Sequence, residues 1–116
     1  MPTLSVDILF RTALELFFSE EHAITLTFTA DGIRIRFPTT RRLAEYLKAP
    51  HYYILPYFAM MEEQELVTRE ERVGIHTTNE GSMKIIRIMR EEFADESIAL
   101  LGPEIFEQIC KRIDTR

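Results

Sequence analysis

Residues 39–81 read TTRRLAEYLKAPHYYILPYFAMMEEQELVTREERVGIHTTNEG, and their order of elements decides the fold. Thr39 or Thr40 can cap a helix that carries Leu43, Ala44 and Leu47 at helical spacing. Ala49-Pro50 supplies a turn, and Pro50 suits the first position of a second helix. Ile54, Phe58 and Met61 then recur at i, i+4 and i+7, which makes them the buried face of that helix. Tyr52, Leu55, Pro56 and Ala59 fall on the outward side. Pro56 lies inside the helix, where the missing N–H and the ring clash cost about 3 kcal/mol or bend the axis. Residues 66–69 and 72–76 read as two short strands around Glu70-Glu71, and Thr77 or Thr78 caps a further helix.

Upstream, Ile24, Leu26 and Phe28 alternate with threonines, Asp31-Gly32 offers a turn, and Ile33, Ile35 and Phe37 alternate with Arg34 and Arg36. With Asp31-Gly32 as a two-residue turn, Ala30 faces Ile33, Phe28 faces Ile35 and Leu26 faces Phe37. On the other face Thr29 meets Arg34 and Thr27 meets Arg36. That polar face is either solvated surface or a phosphate contact. Residues 6–18 form a helix with Ser5 as N-cap and Asp7 in its first turn. Its apolar stripe, which includes Leu9, Phe10 and Phe17, is wider than one contact needs. This width predicts either contact with a second subunit or deep burial in the chain's own core.

Downstream, a helix over residues 83–93 turns Met83, Ile86, Met89 and Phe93 inward and Lys84, Arg87 and Arg90 outward. After a break at residues 95–97 and a short apolar turn at 98–101, Pro103 opens a last helix. There Ile105, Phe106, Ile109, Cys110 and Ile113 share one side. A short amphipathic helix must dock on something, and a second subunit is one candidate.

The 116 residues suffice for one domain. A hydrophobic content of 46% with 28% charged residues is that of a globular chain. Apolar runs are too short to cross a bilayer and the first residues lack a basic leader, so a cytoplasmic location is expected. Cys110 is the single cysteine, which excludes an internal disulfide and is expected to be a buried thiol. The net charge is −5, but its distribution is uneven. Residues 34–48 hold five basic groups and one acidic group, whereas residues 49–68 hold no basic and three acidic groups. Arg41 and Arg42 in the first turn of a helix oppose its dipole by a few tenths of a kcal/mol. They are either tolerated on the surface or held there to meet a phosphate.

No nucleophile–base pair, glycine-rich phosphate loop or ligand-spaced cluster of His, Cys, Asp and Glu is present, so neither an enzyme nor a cofactor or metal is expected. The stretch 39–81 resembles the winged helix-turn-helix superfamily of MarR-like, PadR-like and ArsR-like regulators. The matching residues are Leu43-Ala44-x-x-Leu47, a three-residue turn, Ile54 with Phe58 and Met61, Glu62-Glu63-x-x-Leu66-Val67-x-Arg69, and Thr77-Thr78-x-x-Gly81. The expected fold is therefore α+β, a single winged-helix domain over residues 1–116. It divides into an N-terminal helix (1–20), an additional β-hairpin (23–37), the helix-turn-helix, wing and following helix (39–93), and a C-terminal helix (97–116).

The resemblance implies a DNA-binding transcriptional regulator that dimerises through helices outside the module, with its second helix in the major groove. Carried over by position, His51, Tyr52, Tyr53, Leu55 and Pro56 face the groove. Arg41, Arg42 and Lys48 meet phosphates, and Arg69 and Arg72 lie on the wing. The hairpin's Arg34 and Arg36 extend the positive surface. A homodimer would use Leu9, Phe10, Phe17, Ile105, Phe106, Ile109 and Ile113. This sequence has Pro56 where such regulators often carry a basic residue, Glu65 where a glycine usually precedes the wing, and Glu70-Glu71 at the wing tip. The alternative partner is a protein docked on Tyr52, Leu55, Pro56 and Ala59.

Overall fold

A computed structural model describes residues 3–114; the outermost ends of the first and last expected segments, residues 1–2 and 115–116, lie outside it. The chain is α+β. Helix α1 (Val6–Glu15) is capped by Ser5, whose Oγ accepts the Ile8 N–H at 3.1 Å. It continues as a π-helical stretch, Leu16–Glu21, and closes at His22, where φ is +53°. The hairpin β1 (Leu26–Thr29) and β2 (Gly32–Ile35) follows, then α2 (Thr40–Leu47) and α3 (His51–Glu63). A second hairpin, β3 (Val67–Glu70) and β4 (Gly74–Thr77), leads into α4 (Asn79–Glu92), α5 (Ala94–Leu101) and α6 (Pro103–Asp114). The expected apolar turn at 98–101 is in fact the second half of α5. No helix of the described residues is long and apolar enough to cross a membrane.

The first hairpin keeps its faces but shifts its register. Leu26 pairs with Ile35, Thr27 with Arg34, Phe28 with Ile33 and Thr29 with Gly32. Ala30-Asp31 is therefore the turn, displaced from the expected Asp31-Gly32. The reason is local: the Thr29 hydroxyl accepts the Gly32 N–H at 3.1 Å, and Asn79 Nδ2 donates to the Asp31 carbonyl at 3.0 Å. A Cβ on Gly32, at φ +155°, would stand 2.4 Å from Asn79 Oδ1, so a side chain there would displace the Asn79 amide from this turn. A slip of two residues preserves the alternation, so Ile33 and Ile35 stay buried and Leu26 half-buried; Phe28, expected inward, is 53% exposed near the turn of the hairpin.

The two hairpins meet edge to edge. Arg36 bridges to His76, and the Phe37 N–H donates to the Ile75 carbonyl at 2.9 Å. Beneath that seam a buried chain of hydroxyls joins three elements. The Ile35 N–H donates to Thr77 Oγ at 2.8 Å, Thr77 and Ser82 hydroxyls lie 2.7 Å apart, and Ser82 Oγ donates to the Ile33 carbonyl at 2.5 Å.

Helix α1 is the centre of the molecule, packed against α2, α3 and α4 at once. That is why its apolar stripe is so wide. Phe10 meets the Phe37 ring at 5.3 Å, and Phe37 meets Phe58 at 6.3 Å, both edge-on, so α1, the end of the first hairpin and α3 share one core. Two ion pairs clamp α1 to α4: Lys84 Nζ to Asp7 at 2.6 Å, and a two-pronged Arg11–Glu92 contact at 2.8 Å. Hydrogen bonds from Lys84 and Arg11 respectively hold the Asp7 and Glu92 carboxyls below their ordinary pKa values. Lys84 was expected to point outward; Asp7 draws it onto the Phe10 ring instead, 5.6 Å from the centroid.

The C-terminal helix docks on its own chain, against α4, α5 and β2. Arg112 spreads over the Phe28 ring at 5.4 Å and donates to the Thr29 carbonyl. Leu9, Phe10, Phe17, Phe106, Ile109 and Ile113, expected at a dimer interface, are buried in this core; of that set only Ile105, 49% exposed, is presented outward. Cys110 is half-buried, not buried.

Candidate nucleic-acid interface

Helix α2 begins at Thr39, whose hydroxyl accepts the Arg42 N–H at 3.1 Å. It ends with Lys48 in the left-handed region, φ +55°; the Ala49 N–H closes on the Ala44 carbonyl and the Lys48 N–H on the Glu45 carbonyl. This is a Schellman closure with lysine where glycine is commonest. It turns the chain through Lys48, Ala49 and Pro50 directly into α3. Pro50 flanks that helix instead of opening it, and α3 runs unbroken through Pro56. The start of α3 is tied back to the start of α2, because Thr40 Oγ lies 2.7 Å from His51 Nε2.

Arg41, next to Thr40, is exposed, as are Lys48, His51, Tyr52 and Tyr53. The Tyr52 and Tyr53 rings meet edge-on at 4.7 Å. Tyr52 is 64% exposed and Leu55 40%, while Ile54, Phe58 and Met61 are buried as their spacing predicts.

The remaining arginines divide into paired and unpaired. Arg34 donates to Glu70 across the two hairpins at 2.5 Å, and this bond lowers the Glu70 pKa. Arg69 lies over the Phe58 ring at 4.8 Å and 3.3 Å from Glu62. Arg42 approaches Glu45 at 3.7 Å. Among the described residues Arg36, Arg41, Lys48 and Arg72 make no ion pair. Arg72 sits at the tip of the second hairpin with φ +68°, so the tip is not purely acidic. The acidic partners of Arg34 and Arg69, like the Thr40–His51 bond, escape a reading of the sequence because their partners are distant along the chain or sit on a different element.

Arg36 and Arg42 also line a cleft of about 390 Å³ with Phe17, Phe37, Thr39 and Glu21. No group of three or more His, Cys, Asp or Glu side chains among the described residues could hold a metal ion. A comparison with known protein families finds no match, and no curated protein matches the chain in sequence.

Proposed function

We propose that this chain is a non-catalytic, DNA-binding transcriptional regulator of winged-helix design. Helix α3 faces the major groove, and β3–β4 serves as the wing. The observation that carries this reading is the Thr40–His51 bond, which ties the start of α2, beside the exposed Arg41, to the exposed first turn of α3, which Lys48 precedes by three residues. Arg41 and Lys48 would meet phosphates on either side of the groove, with Arg36 and Arg72 reaching the flanking backbone. The paired Arg34 and Arg69 are secondary contacts. A homodimer through the C-terminal region would use Ile105 and Ile98, both exposed.

Fluorescence anisotropy with a labelled duplex at low salt tests the reading. Binding is expected in the micromolar range typical of nonspecific contacts, and Arg41→Glu with Arg42→Glu should abolish it. Absence of binding by the native chain would overturn the proposal. It would leave the second reading, a protein partner docked on Tyr52, Leu55, Pro56 and Ala59, which the uncharged, exposed face of α3 favours.

A further inference from the structure

The groove-facing side of α3 lacks the groups that read guanine. Tyr52, Leu55, Pro56 and Ala59 occupy it, all exposed, and the unpaired cations Arg41 and Lys48 belong to α2 and its closing turn and not to the stripe. Arg or Lys to guanine and Asn or Gln to adenine are the usual two-pronged contacts to base edges, and none can be made from these positions. Apart from the Tyr52 hydroxyl, what the stripe offers is apolar surface, and the apolar group that distinguishes a base edge in the major groove is the C5-methyl of thymine. The N-terminal residues of such a helix are the ones that approach base edges. Glu63, the one charge on the same side, lies about one turn beyond Ala59, at the far end of the helix.

We infer that α3 recognises duplex DNA through thymine methyl groups, so that its substrate class is A·T-rich duplex. This inference rests on the duplex-binding reading above. The partner is committed by charge as well as by shape: an apolar stripe with unpaired cations on the preceding helix and turn suits a methyl-lined groove between two anionic backbones. Each methyl buried against the stripe should strengthen binding about fourfold.

The test compares labelled duplexes of equal length in the full chain at low salt. One is A·T-rich, a second replaces every thymine by uracil, a third is G·C-rich, and a fourth is the G·C duplex with 5-methylcytosine. Uracil keeps every hydrogen-bonding group and removes only the methyl; 5-methylcytosine adds the methyl without changing the pairing. The A·T duplex should bind at least about fourfold more tightly than its uracil counterpart, and 5-methylcytosine should recover part of the loss in the G·C series. Tyr52→Ala and Leu55→Ala, both at exposed positions, should erase the thymine–uracil difference, the thymine duplex falling to the affinity of its uracil counterpart. Equal affinity for the thymine and uracil duplexes would overturn the methyl readout and leave duplex binding intact. No binding to any of them would overturn both.

Discussion

At the scale of single residues, Thr77 has the most to lose. Its hydroxyl is fully buried, accepts the Ile35 N–H and meets Ser82, whose own proton is committed to the Ile33 carbonyl. The directions are therefore fixed: Thr77 donates to Ser82 and accepts from Ile35. Valine keeps the shape but offers no acceptor, leaving a buried backbone N–H unsatisfied at a cost of about 1–3 kcal/mol. Thr77→Val should lower the urea midpoint accordingly without changing the slope of the transition. A loss no larger than that of an exposed control such as Thr27→Val would show that the hydroxyl chain does not hold the hairpins to α4. Gly81 is constrained nearby, since a Cβ there would lie 1.9 Å from the Leu66 carbonyl oxygen. That contact explains the glycine in the Thr77-Thr78-x-x-Gly81 motif.

At the scale of elements, most of the fold was legible in the sequence, and the misreadings share a cause. Periodicity located α2, α3, α4 and α6 because one face of each is buried on a neighbour, and Ile54, Phe58 and Met61 are buried as spaced. Register in the first hairpin was misread because Asp31-Gly32 is a good turn in isolation, whereas Asn79, from a distant helix, pins the turn one residue earlier. The wide stripe of α1 fitted either a dimer or a central helix, and local pattern cannot distinguish them. The pairing of the candidate site's arginines was not legible: Glu70 and Glu62 take up Arg34 and Arg69 across elements that the sequence does not place side by side. Glu65 was read as an anomaly where a glycine was expected, and its φ of +60° explains why. The Leu66 N–H closes on the Met61 carbonyl and the Glu65 N–H on the Glu62 carbonyl, a second Schellman closure, with Glu65 at its left-handed position. A left-handed conformation costs a non-glycine residue about 1–2 kcal/mol. Glu65→Gly removes that cost, offset in part by the greater freedom of glycine in the unfolded chain. The variant should be more stable than the native chain by up to about 1 kcal/mol, measurable as a higher urea midpoint; a lower midpoint would mean that the Glu65 side chain itself stabilises the turn.

For the whole molecule, the proposed duplex binding must coexist with a net charge of −5. Only cations that no carboxylate neutralises can do this, so the salt dependence of binding should count them. Each phosphate contact contributes about −0.9 to the slope of log affinity against log salt on B-form DNA. Four contacts, from Arg36, Arg41, Lys48 and Arg72, give a slope of about −3.6. Arg41→Ala should reduce its magnitude by about 0.9. Arg34→Ala and Arg69→Ala should change it far less, because Glu70 and Glu62 already neutralise those guanidinium groups. The pairing also predicts a gain of function. Glu70→Gln removes a negative charge from the second hairpin and releases Arg34, so its affinity for duplex should rise and its slope should steepen by up to one contact's worth. Arg34→Ala combined with Glu70→Gln should return the slope to that of the native chain. If Arg34→Ala alone flattens the slope as much as Arg41→Ala does, the division into neutralised and available cations is wrong, and the binding face must extend across the first hairpin.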